Sequence, residues 1–368
     1  VLTVTDVNGN SSTCATTITV QDNIAPIAVC QNITAQLNSG GTTTVTAVMI
    51  NNGSSDACGI ATLSLNNGAF GCANVGQNSI VMTVTDVNGN TSTCAATVAI
   101  MDTVRPVAIC QNVTIQLNVG GNATLTTTMV NNGSSDACGI QSLALSQSAF
   151  VCSEVGANNE VLTVTDVNGN SSTCATVITV QDNIAPVAIC QNVTVQLDIT
   201  GNGATSAAAV NNGSTDACGI QTLTLSQTAF VCSEVGANTE VLTVTDVNGN
   251  STTCSVTVTV QDNIAPNATC QNLTSYLNGG GTSTITASMV NNGSSDACGI
   301  ATSTINNGVF GCANVGANTV VLTIVDVNGN SATCSSVVTV IDSIDPTPVC
   351  QNLTVYLDAQ GVSSITPS

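Results

Sequence analysis

The sequence predicts an all-β chain: tandem immunoglobulin-like β-sandwich repeats of 80 residues forming an elongated rod. Three observations predict it. Cysteines recur at 14, 94, 174, 254 and 334, at 30, 110, 190, 270 and 350, at 58, 138, 218 and 298, and at 72, 152, 232 and 312. Every series advances by 80 without a slip. Between the cysteines, short alternating runs of Val, Thr and Ile are separated by clusters of Gly, Asn and Ser, as expected of half-buried strands joined by turns. The string TDVNGN returns at Thr5, Thr85, Thr165 and Thr245, and as VDVNGN at Val325.

The period divides the chain into 1–21 (the C-terminal part of a preceding repeat), the repeats 22–101, 102–181, 182–261 and 262–341, and 342–368 (the start of a following one). The chain is therefore expected to be a window on a longer polypeptide. Within 22–101, IAVCQNITAQLN reads as a first strand whose alternation changes parity near Gln31 and Asn32, the mark of a kink or bulge. TTTVTAVMI reads as a second strand, IATLSL as a third, and NSIVMTVTD as a late strand with Ile80, Met82 and Val84 facing one way. TSTCAATVAI closes the repeat with Cys94, Ala96, Val98 and Ile100 inward. Phe70, Phe150, Phe230 and Phe310, each two residues before a cysteine, read as core plugs. The linkers QDNIAP, MDTVRP and IDSIDP carry a proline that restricts the joint.

Four cysteines in a repeat this small suit an oxidised, extracellular disulfide framework. Zinc fits poorly, because there is no His and no CxxC pair. In a sandwich of this kind the first and last strands lie side by side, so Cys30 is expected to pair with Cys94. The rival, Cys94 with Cys110, requires the chain to fold back through a linker. Cys58 would then pair with Cys72 around the middle hairpin. The same scheme pairs Cys110 with Cys174, Cys138 with Cys152, Cys190 with Cys254, Cys218 with Cys232, Cys270 with Cys334 and Cys298 with Cys312.

Arg105 is the only cation against 21 acids, giving a net charge of -20. Nucleic-acid binding is excluded by that inventory. No apolar run long enough for a helical membrane span occurs. With no His or Lys and few paired acids, catalysis has no general base to work with, and no enzyme is expected.

Three acids recur in every repeat: Asp22, Asp56 and Asp86; Asp102, Asp136 and Asp166; Asp182, Asp216 and Asp246; Asp262, Asp296 and Asp326. The sandwich topology is expected to gather each trio at a joint between repeats. With oxygens of Asn88 and Asn90, such a cluster suits Ca²⁺, a hard cation taking six to eight oxygens. The alternative is that Asn88-Gly89 forms an Asn-Gly hairpin turn with Asp86 bonding the turn and Asp56 capping its own loop. An EF-hand is excluded, since the glycine and the final Glu fall at the wrong positions.

DNIAPIAVCQNIT, SSDACGI, FGCANVG and VTDVNGNTSTC together resemble the HYR (hyalin repeat) family of immunoglobulin-like modules. They look most like the tandem repeats of giant bacterial surface adhesins and filaments exported by type IX secretion, including gliding-motility adhesins. The resemblance implies a spacer in an extracellular, cell-surface adhesion protein or filament. It also implies O-glycosylation at Thr103 and Ser343. The expected partners are neighbouring repeats of the same chain, identical chains in a fibre, and a host, prey or substratum surface reached by other parts of the protein. The alternative function is that the repeats themselves bind glycans or a partner surface, although the chain has no Trp and only Tyr276 and Tyr356.

Overall fold

In the computed structural model, which describes residues 1–366, the chain is all-β and one arrangement recurs in each complete repeat. Two compact bodies are formed, Val1–Ile184 and Ala185–Ser368. In the repeat 22–101 of the first body the elements are β1 (Ile33–Gln36), β2 (Thr42–Thr44), α1 (Ala47–Ile50), β3 (Ile60–Leu65), β4 (Ala69–Gly71), β5 (Gly76–Asp86) and β6 (Thr91–Met101). A single 3-10 turn, Cys72–Asn74, follows β4.

Four strands make one sheet in the order β1, β6, β5, β3, and β2 pairs with β4 in the other. β5 and β6 are the long central hairpin, antiparallel from Gly76 opposite Ile100 to Thr85 opposite Thr91. Their alternation places Ile80, Met82, Val84, Ala96, Val98 and Ile100 inside, because successive side chains of a strand point to opposite faces. Phe70, on β4, closes the core from the second sheet.

β1 lies parallel to β6, Ile33 opposite Val98 through Gln36 opposite Met101. The parity change at Gln31-Asn32 marks where the chain changes partner. Before it, Ile27 bridges Ser55 and Cys30 bridges Asn51; after it, the chain joins β6. Asn32 Oδ1 accepts the Thr97 backbone N–H at 2.8 Å, supplying a partner for a donor just before the parallel ladder starts.

The expected second strand is corrected. TTTVTAVMI is extended only to Thr44, then becomes the single turn α1, with Asn51 N–H donating to Ala47 O and Met49 N–H to Thr46 O. A continuous strand would put Val45, Ala47 and Met49 on one face. The turn instead buries Val45 and Ile50 and leaves Val48 and Met49 outside, which fits the narrow gap between the two sheets.

Residues 1–21 form an exposed hairpin of Leu2–Thr5 with Ser11–Cys14, and 342–366 carry no strand. No helix among the described residues is long and apolar enough to cross a membrane.

Candidate functional site at the repeat joint

The joint within the first body is built from the end of repeat 22–101 and the start of repeat 102–181. β1 runs into it, and Leu37 N–H donates to Met101 O at 2.9 Å. Thr103, expected as a glycosylation site, places its hydroxyl 3.4 Å from Gln36 Oε1. Ser343 is exposed.

Two kinds of disulfide meet here. Cys30 bonds Cys94, and Cys110 bonds Cys174, each across the first and last strands of its own repeat. In the second body Cys190 bonds Cys254 and Cys270 bonds Cys334 in the same way. The middle pair is different from the expectation. Cys72 does not bond Cys58; it bonds Cys138 of the next repeat, with Cα atoms 5.1 Å apart. In the second body Cys232 bonds Cys298, also at 5.1 Å, and not Cys218; Cys152 and Cys218 are both disulfide-bonded as well. The free thiols are Cys14, Cys58, Cys312 and Cys350, so Cys298 is not joined to Cys312 either.

The reason lies in the local backbone. Cys72 opens the 3-10 turn after β4 and is held with its sulfur 3.6 Å from Gly41 O. Gly41 has φ +72°, and a Cβ there would stand 2.7 Å from Cys72 Sγ and 3.1 Å from Ala137 Cβ. Glycine is required both by the conformation and by this close approach. The next repeat delivers Ala137-Cys138 directly onto this notch.

The recurring acids divide into two kinds. Asp86 is buried, at the start of the β5–β6 turn, and accepts from Asn88 N–H, Asn90 N–H and Asn90 Nδ2 at 2.7 to 2.8 Å. Asp166, Asp246 and Asp326 do the same in their repeats. Gly89, at φ +90°, sits in the turn position that L side chains avoid. Asp6 makes the same three bonds in the exposed N-terminal hairpin, so the motif forms its turn without a core around it. Asn90 spends its amide on the linker, donating to Asp22 O at 3.1 Å and Ile24 O at 3.2 Å. The expectation that Asp86, Asn88 and Asn90 join a cation cluster is thereby corrected for Asp86 and Asn90, whose side-chain donors and acceptors close the turn and pin the linker.

Asp86 also sets a pH dependence. Burial pushes its pKa up, but the hydrogen bonds from Asn90 and the backbone N–H groups of Asn90, Asn88 and Gly89 outweigh it and hold the carboxyl below its ordinary value of 3.8. A depressed folded-state pKa contributes stability that is present above the unfolded value and is lost as pH falls through the folded one. Thermal stability of the chain is therefore expected to drop below about pH 4, and less steeply in the Asp86→Asn variant. Melting curves across that range, with no difference in slope between the two proteins, would contradict this assignment.

The second kind of acid does cluster. Ligand-capable atoms of Asp102, Asp136 and Cys138 lie within 4.8 Å of one another, as do those of Asp262, Asp296 and Cys298, and those of Asp22, Asp56 and Cys58. Each carboxylate uses one oxygen locally. Asp102 Oδ1 accepts Val104 N–H at 3.0 Å and Asp136 Oδ1 accepts Cys138 N–H at 2.7 Å; Asp262 and Asp296 repeat this with Ile264 and Cys298. Asp22 and Asp56 bond Ile24 and Cys58 in the same manner. Asp182 caps Ile184 N–H, and Asp216 caps Cys218 and Gly219. Asp102 is 9 % exposed and Asp262 7 %, and the Oδ2 of each is buried without a hydrogen-bond partner. Asn328 Oδ1, the counterpart of Asn88, is a further buried acceptor without one. Buried polar atoms are paired in the great majority of cases, and two carboxylates this close repel unless a cation or donor lies between them.

Two buried acids had no signal in the 80-residue pattern. Glu160 and Glu240 stand where the other repeats have Ile80 and Val320, and each accepts a short hydrogen bond from a serine hydroxyl, Ser146 and Ser226. They are satisfied in place and face no joint.

No protein-family profile matches the sequence, and no curated protein matches it. Among solved structures, the chain is similar to the protocadherin GammaB4 extracellular domain, at 16 % identity over 86 % of this chain and 67 % of that one, TM-score 0.30. It is similar to Drosophila N-cadherin EC1-4 at 13 % identity, over 84 % of this chain and 100 % of that one, TM-score 0.26. Sidekick-1 immunoglobulin domains 1-5 match at 9 % identity, over 86 % and 80 %, TM-score 0.29.

Proposed function

We propose that the chain is a spacer: a disulfide-stapled segment of a large secreted cell-surface adhesin or extracellular filament that holds a binding region away from the cell. The observation that carries the reading is the covalent bond across the joint, Cys72 to Cys138 and Cys232 to Cys298. A chain that binds through each repeat has no need to lock one repeat to the next, whereas a spacer gains a fixed joint. Disulfides of two kinds in each body suit an oxidising, extracellular setting. Export by type IX secretion and service in gliding belong to this proposal through the sequence motifs alone. The test is surface binding by the purified chain: no saturable binding to glycans or cells is expected. Saturable binding that disappears when the 131–139 loop is altered would replace the spacer with a receptor.

The proposal includes calcium at the joints. Asp102 with Asp136, and Asp262 with Asp296, present unused carboxylate oxygens toward one another, a donor set suited to a hard cation. Asp22 and Asp56 offer a more exposed version. Two carboxylates are few for Ca²⁺, so carbonyls and water must complete the shell and the affinity is expected in the millimolar class of extracellular modules. Millimolar calcium is expected to raise the melting temperature relative to chelator, and Asp102→Asn with Asp262→Asn to abolish most of the rise. Identical melts with calcium and chelator would remove calcium and leave the spacer reading standing.

A further inference from the structure

We infer that Cys312 and Cys58 are the two halves of one more joint of the Cys72–Cys138 kind, closed head to tail by a second copy of this chain. Both halves are already in the geometry of the closed joints. Cys312 opens a 3-10 turn with its sulfur 3.7 Å from Gly281 O, as Cys72 and Cys232 lie 3.6 and 3.7 Å from Gly41 O and Gly201 O. A Cβ at Gly281 would meet Cys312 Sγ at 3.0 Å, so the notch is kept bare as it is at Gly41. On the other side, Cys58 N–H donates to Asp56 Oδ1 at 2.8 Å, as Cys138 does to Asp136 and Cys298 to Asp296.

The residue that fills the notch is also present. In the closed joints the methyl of Ala137 or Ala297 sits 3.1 or 3.3 Å from the Cβ position that Gly41 or Gly201 leaves empty. Ala57 precedes Cys58 as Ala137 precedes Cys138. Both thiols are exposed and unbonded, and nothing else in the chain presents the complementary half to either. The occupant is therefore a surface of this same repeat. A contact between two different patches of identical chains does not close on itself in a dimer, so it builds open chains or rings.

The bond requires an oxidant of the disulfide class, such as glutathione disulfide. Cys312 thiolate attacks it and releases one glutathione thiolate; the Cys58 thiolate of the second copy then attacks the Cys312 sulfur and releases the other. Two protein S–H bonds are replaced by one S–S bond, and the oxidant's S–S bond becomes two glutathione thiols. The second step is the slower one at neutral pH, because a hydrogen bond to Asp22 and the charges of Asp22, Asp56 and Asp86 push the Cys58 thiol up.

The experiment uses the whole chain with Cys14→Ser and Cys350→Ser, which leave only these two thiols free. Incubated with glutathione disulfide, it is expected to give a ladder of covalent multimers on a non-reducing gel, denser at higher protein concentration and collapsed by reductant. Peptide mapping should find Cys58 joined to Cys312, and Cys58→Ser or Cys312→Ser should each abolish the ladder. Glutathione adducts without multimers, or like-to-like Cys58–Cys58 and Cys312–Cys312 bonds in the map, overturn the inference. The mapping reads the bond directly, so it decides the matter even if a serine variant folds poorly.

Discussion

Replacing both Cys110 and Cys174 by serine is expected to destabilise the repeat 102–181 by about 4 kcal/mol. The bond closes a loop with a sequence separation of 64, and in the chain-entropy model a cross-link of that size removes about 4 kcal/mol of freedom from the unfolded chain. That is a large share of what a domain of this size has in hand. The core gives little reserve, since it is made of small aliphatic side chains and one aromatic per repeat. Hydrogen exchange in Ser171–Gln181 and Gly156–Asp166 reports the loss within the repeat itself, which a single melting temperature for several repeats would blur. The Cys72→Ser, Cys138→Ser pair provides the contrast. It removes the bond between repeats, so it should loosen the joint while leaving exchange in those central strands nearly unchanged. Equal effects of the two pairs would mean that the repeats do not hold their cores separately.

Phe150→Ala is expected to cost about 3 to 5 kcal/mol, the usual range for emptying a buried aromatic site. Phe150 is 1 % exposed and lies on the strand Ala149–Val151, opposite Ala123. It belongs to a sheet of only two short strands, so its ring supplies much of what holds that sheet against the four-stranded one. The neighbours cannot collapse far into the space, because the disulfide Cys110–Cys174 and the long hairpin fix the facing sheet. Phe150→Leu keeps most of the volume and should cost under about 1.5 kcal/mol. Chemical denaturation followed by exchange at the Ala149–Val151 amides measures both; a loss under about 1 kcal/mol for the alanine variant would show that the second sheet does not depend on the ring.

What the sequence disclosed, it disclosed through short-range rules. Alternation placed Ile80, Met82, Val84, Val98 and Ile100 inside, and the parity change at Gln31-Asn32 marked the point where the chain leaves one sheet for the other. The first and last strands had to run side by side, which puts Cys30 and Cys94 level. The same reasoning failed at Cys72 because it treated a repeat as closed on itself. Cys58 and Cys72 are near in sequence, but the 3-10 turn and the bare Gly41 aim Cys72 outward, at a residue of the next repeat. A signal was present: Gly41, Gly121, Gly201 and Gly281 recur with the cysteines, and a glycine repeated at a fixed distance from a half-cystine marks a surface that something must approach.

The acids illustrate a second limit. Asp22, Asp56 and Asp86 recur alike, so the pattern alone assigns them one role. Burial separates them. Asp86 has its oxygens engaged by the turn that follows it, as Asp6 does even in an exposed hairpin. Asp102 and Asp262 each keep a buried oxygen unspent. Which of two identical letters is satisfied depends on neighbours that only the folded chain supplies.

The bond between first and last strands decides how the chain answers a pull. Tension arriving at Cys30 crosses the disulfide to Cys94, follows the backbone to Cys110, and crosses again to Cys174. The strands and loops between the bonded cysteines lie outside that path. At roughly 3.5 Å per extended residue, only about 55 Å of backbone per repeat can be drawn out, against about 280 Å for the reduced chain. The bond from Cys72 to Cys138 lies on a longer detour and stays slack under stretching, so its resistance is to twisting and bending at the joint. Stretch and orientation are thus governed by different disulfides, and the folded core of each repeat is shielded from load altogether.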